Sequence, residues 1–204
     1  MLKMTIKDFG ARVESVWQGL RPMTKQMIVG ALQSGSAPVP TAPTQKFSYD
    51  TQSDWELSRL LTALDEQTKE ARINNDEEKL SELERMTETV IRVLEAQTES
   101  AEVFIQLAER ILKRNDYASF DRIANALHDR FSAGEIAEII RQTDKPQIRA
   151  VAYETLSLLP TTSLLPVLDD LLYADIALAA IEQQAFEYES EEARKILEQI
   201  EDED

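Results

Sequence analysis

His128 is the only histidine in the chain, so any triad, metal pair or proton relay built on imidazole has a single candidate. Asp121 precedes it by seven residues, two helical turns, and Asp129 follows it directly, so one helix face can bring a carboxylate towards the ring. A hydrolase also needs an activated nucleophile and oxyanion donors, and the chain has no nucleophile elbow, Gly-rich turn or phosphate loop. Two readings of His128 stand: an exposed or helix-terminal histidine, or the working residue, with Asp121, of an enzyme or ligand-binding helical domain. Cysteine is absent, which excludes disulfides, thiolate nucleophiles and Cys-based zinc sites.

Paired carboxylates are abundant, as in Glu77-Glu78, Asp169-Asp170 and Glu191-Glu192. A helix-bundle metal site requires Glu-x-x-His on facing helices, and no Glu stands three residues before His128; the EF-hand spacing is missing too. No catalytic residue, metal ligand or cofactor-binding residue is therefore assigned, and a non-enzymatic role is expected. Glu77-Glu78 after Asp76 and Glu191-Glu192 after Ser190 fit first turns of helices, where anions meet the positive end of the dipole. The run Glu201-Asp202-Glu203-Asp204 is expected to fray, as a solubilising tail or an acidic docking tag.

The elements that carry these residues are predicted to be helices throughout. The 204 residues are 43% hydrophobic, enough for a core, and contain only 5 glycines, while Ala, Leu, Glu, Arg and Gln dominate. Lys and Arg number 22 against 38 Asp and Glu, a net charge of −16 that argues against nucleic-acid binding. Residues 1–35 run the other way, with five cations and two anions, a balance of +3 that leaves −19 elsewhere. Lys7, Asp8, Arg12 and Glu14 interrupt any signal-peptide core, and no window has the roughly 18 apolar residues of a membrane span, so a cytoplasmic location is expected.

Residues 1–34 read as an amphipathic helical arm. Thr5-Ile6-Lys7-Asp8 resembles a capping box, and Ile6, Phe9, Val13, Val16, Trp17 and Leu20 follow at helical spacing. Pro22 interrupts the helix, and a second stripe with Met27 and Ile28 ends near Gly35. Pro38, Pro40 and Pro43 then make residues 35–52 a tether. An apolar stripe on a cationic helix must be buried somewhere: on a protein partner or second copy, on the body in cis, or weakly on an anionic membrane surface as a peripheral adaptor. The expected partner-binding residues are Ile6, Phe9, Val13, Val16, Trp17, Leu20, Met27 and Ile28. A free hook of this kind predicts that deleting residues 1–45 leaves the melting of the body nearly unchanged.

The body is predicted over residues 53–201, with 202–204 as an acidic tail. Ser53 or Asp54 is the expected first cap, and Leu57, Leu60, Leu61 and Leu64 line the first helix. Asn74-Asn75-Asp76 turns it into a partner carrying Leu83, Thr87, Val90 and Leu94, an antiparallel hairpin. Helices with Val103, Phe104 and Leu107, then Phe120, Ile123 and Leu127, meet at Asn115-Asp116, and Ser132-Ala133-Gly134-Glu135 is a capping box for the next. The remaining helices are predicted near 146–159, 163–173, 175–188 and 191–201.

The segments around Ile148, Val151 and Ala152 and around Ile176, Ala179 and Ala180 coincide at an offset of 28 residues. Repetition on this scale marks a solenoid. Ile148-Arg149-x-x-Ala152-x-x-x-Leu156, after Pro146 and before Pro160, resembles the second-helix motif of HEAT-like repeats over roughly residues 133–201. The second copy departs from it, with Ala177 in place of Arg149 and Gln184 in place of Leu156. The resemblance implies an all-α right-handed-type solenoid of antiparallel helix pairs that binds proteins as a scaffold or adaptor, and it brings no catalytic residues.

Overall fold

A computed structural model describes residues 5–34 and 49–203, so most of the expected tether, residues 35–48, lies outside the described residues. Every regular element among them is helical. A 3-10 turn, Ile6–Phe9, leads to α1 (Ala11–Gly19), α2 (Pro22–Ser34), α3 (Thr51–Ile73), α4 (Glu77–Gln97), α5 (Ala101–Lys113) and α6 (Tyr117–Arg130). α7 (Ala133–Gln142), α8 (Pro146–Leu158), α9 (Thr161–Leu168), α10 (Ala174–Phe186) and α11 (Glu191–Glu203) complete the order. The chain forms two compact units, Met1–Thr98 and Glu99–Asp204. The boundary between them falls after α4.

In the first unit the predicted α3–α4 hairpin forms, with Leu57, Leu60, Leu61, Leu64, Leu83, Val90 and Leu94 fully buried. α3 begins earlier than Ser53: Asp50 is the N-cap and accepts from the Ser53 amide at 2.9 Å. α4 buries a second face, Glu82, Met86, Thr89 and Val93, which one stripe did not predict. The cause is the N-terminal segment: α1 packs on α3, while α2 and the 3-10 turn pack on α4. The helix expected from Thr5 to Leu20 is broken at Gly10, whose φ of 113° lies outside the helical region.

In the second unit, α5 packs on α6 and α7, α6 on α8, α7 on α8 and α9, α8 on α10, and α10 on α9 and α11. Phe104 and Phe131 meet edge to face with ring centroids 5.7 Å apart, and Leu127, Ile136, Ile139, Ile148, Ala152 and Leu156 are fully buried. Asn115 takes φ 55° in the turn before α6, and the Asp116 cap accepts from the Ser119 amide at 3.1 Å. Asn75 and Asp76 repeat this device before α4, Asn being one of the few residues that enter the left-handed region readily. The Ser132 box forms by half. Ser132 caps the Glu135 amide, while the Glu135 carboxylate crosses to the Ala101 amide at 2.6 Å and caps α5.

α9 starts two residues before the predicted 163–173 and ends at Leu168, with Pro166 inside it; a hydrogen-bonded turn through Asp170 and Tyr173 follows. Beyond it, α11 runs from Glu191 through Glu203. Two arginines stand in equivalent places. Arg149 Nε donates to the Ile140 carbonyl at 3.2 Å and Arg194 Nε to the Ala185 carbonyl at 3.1 Å, each nine residues back and each closing the end of the preceding helix.

Candidate functional site

The eight residues expected to bind a partner sit against the first unit's own core. Phe9, Val13 and Ile28 are fully buried and Leu20 nearly so, while Ile6, Val16, Trp17 and Met27 are half-buried. Of the three places where the stripe can be buried, the structure buries it in cis. Burial of these four side chains removes apolar surface from water at about 25 cal/mol per Å².

Polar contacts fix the same docking. The Arg21 guanidinium forms a bidentate pair with Asp50, at 2.9 and 2.7 Å, and its Nε donates to Glu56 at 3.3 Å. Glu56 is almost fully buried and also accepts from the Arg21 amide at 3.0 Å and from the Thr24 hydroxyl. Arg21 and then the Ser53 hydroxyl and amide hold the Asp50 carboxyl well below the usual range, and Asp50 raises Arg21 in turn. A lone charge such as Glu56 is costly when buried, and these donors offset that cost. The cluster therefore joins the α1–α2 turn to the first turn of α3.

Asp121 and His128 share α6 and are both exposed. No hydrogen bond joins them, since seven residues of helix separate them by about 10 Å along the axis. No group of three His, Cys, Asp or Glu side chains among the described residues has a metal-holding arrangement. The pairing on which the enzyme reading rested is absent from the geometry.

A second polar cluster lies in the C-terminal unit. Glu138 on α7 accepts two bonds from Arg141, both 2.6 Å, one from the Tyr173 hydroxyl at 2.8 Å, and one from Gln142. Arg141 foremost, with Tyr173 and Gln142, lowers the Glu138 carboxyl to about 2. Tyr173 precedes α10, so this contact ties the start of α10 to the middle of α7. The cluster is saturated with internal partners and reads as a fastening.

What remains open is the outer side of α8 and α10. Asp175, Ala179, Glu182 and Phe186 fall at i, i+4, i+7 and i+11 on α10, and all four are exposed, opposite the buried row Ala177, Ala180, Ile181, Gln184 and Ala185. On α8, Glu154 and Leu158 are exposed in the same relation to Ile148, Ala152 and Leu156. The two C-terminal turns lie side by side, with the Ser157 hydroxyl donating to Gln183 at 2.7 Å. Phe186 is 75% and Leu158 55% exposed. Apolar periodicity alone missed these residues; the signal that finds them is their phase, off the buried stripe of each helix. No protein-family model, curated protein or solved structure matches the chain.

Proposed function

We propose that the protein is a non-enzymatic interaction scaffold whose acidic C-terminal unit is a HEAT-like α-solenoid of antiparallel helix pairs. The observation that carries this reading is the alternate stacking of helices: α5, α7 and α9 pack in succession, and α6, α8 and α10 do the same. Helix pairs stacked in two layers bury one face of every helix and leave the other to solvent, which is how repeat proteins gain extended binding surfaces. The recurring arginine contacts of Arg149 and Arg194, near the turns that precede α8 and α11, support the same assignment. With the arm packed against α3 and α4, the acidic unit and not a hook is the interacting part.

Native complexes separated by size from source cells, followed by cross-linking and mass spectrometry of the full chain, test this function. A protein partner at fixed stoichiometry is expected. Elution of the whole pool as an isolated chain overturns it.

A further inference from the structure

We propose that the exposed faces of α8 and α10 dock a cationic amphipathic segment of a partner protein, with Leu158 and Phe186 as the apolar contacts and Glu154 and Glu182 as the charge partners. This deepens the scaffold reading and rests on it.

Charge and apolarity coincide here. Between Arg149 and Arg194 lie 44 residues without a lysine, arginine or histidine, and nine of them are Asp or Glu. The same stretch holds six of the ten exposed large apolar side chains of the described residues, among them Leu158, Phe186 and Tyr188. The offset of 28 that relates the two helices in sequence holds on this outer face: Glu154 maps on Glu182 and Leu158 on Phe186. Two adjoining helices thus present the same pair, a carboxylate followed one turn later by a large apolar side chain.

An occupant has to supply apolar side chains to cover Leu158 and Phe186 and cations to meet the carboxylates. An amphipathic helix with a Leu-type row flanked by Lys or Arg does both, its cations steering the encounter and its apolar row supplying the contact. Lipid headgroups of anionic membranes and nucleic-acid phosphates are repelled by the same field. A second copy is disfavoured as well, because pairing this face with itself sets carboxylates against carboxylates.

The test titrates the full chain into a fluorescently labelled synthetic Leu/Lys amphipathic helix, beside a Leu/Glu counterpart and a Lys peptide without the apolar row. Saturable binding of the Leu/Lys helix alone is expected, at least about tenfold weaker for Leu158→Ser/Phe186→Ser and for Glu154→Gln/Glu182→Gln. All four positions are exposed, and circular dichroism checks that the variants fold. Equal binding by the variants, equal binding of the Lys peptide, or no binding of the Leu/Lys helix overturns the proposal. Concentration-dependent dimers abolished by Leu158→Ser/Phe186→Ser assign the face to a second copy and overturn it too. A partner recovered from source cells equally with wild type and Leu158→Ser/Phe186→Ser leaves the scaffold reading standing while removing this surface.

Discussion

The Gln184 amide nitrogen donates to the Leu159 carbonyl at 2.6 Å, from one helix to the end of another. The same nitrogen reaches the Ser157 carbonyl at 3.1 Å, and the Gln184 oxygen accepts from the Thr161 hydroxyl at 2.8 Å. The departure from the apolar residue that the repeat motif requires is thus a cap. One buried amide satisfies two carbonyls at the end of α8 that the helix leaves open.

Restoring the motif with Gln184→Leu is therefore expected to destabilise the protein, by about 1–3 kcal/mol, because buried carbonyls lose their donor. Urea unfolding of the full chain measures it. Unchanged stability would mean that water reaches these carbonyls instead.

Gly10 is required by its backbone. Its φ of 113° is strained for any L side chain, and a Cβ there would stand 2.4 Å from the Gln67 amide oxygen. Gly10→Ala is expected to cost about 1–3 kcal/mol. The Gln67 amide is flexible and can move, so Gly10→Ala/Gln67→Ala should keep most of the loss; recovery in the double variant would assign the effect to sterics alone.

Phe9→Ala empties a fully buried position in the core of the first unit, and a loss of about 3 kcal/mol is expected. Deleting residues 1–34 should go further, exposing the second face of α4 and raising dye binding to apolar surface. A truncated chain that melts like the intact one would restore the free hook and contradict the burial of Val13 and Ile28.

Glu138 couples stability to acid. Its folded carboxyl is lowered to about 2 from an ordinary 4.5, so the folded state binds fewer protons than the unfolded one across this window. The stability it contributes is present above pH 4.5 and is lost as pH falls towards 2. Glu138→Gln should flatten that part of the stability profile. The Tyr173 hydroxyl, raised chiefly by its bond to Glu138, gives the opposite limb: its contribution holds below the ordinary tyrosine range and fades as alkali deprotonates it.

Helix positions were legible where local rules act alone. The Asn-Asp turns at Asn75 and Asn115, the Ser132 cap and the stripes of α3 and α5 depend on spacing and on side chains within a few residues. The misreadings share another cause. The second buried face of α4, the closure of α5 by Glu135 and the break at Gly10 against Gln67 all depend on contacts between residues far apart in sequence. Burial of the stripe around Phe9 was legible as a need, but its destination was not, since an apolar face looks the same whether its cover lies in cis or on another molecule. The outer face of α8 and α10 was hidden for the converse reason: Leu158 and Phe186 look like core until their phase is known.

Four helix ends of the C-terminal unit are closed by residues that follow them in the chain. Ala101 waits for Glu135, Ile140 for Arg149, Leu159 for Gln184 and Ala185 for Arg194. During synthesis this gives assembly a direction. Each of these ends emerges from the ribosome open and is completed only when a later segment arrives, so a chain stalled before Gln184 leaves α8 ragged and exposed to proteases, and the surface that α8 shares with α10 comes into being only as α10 docks.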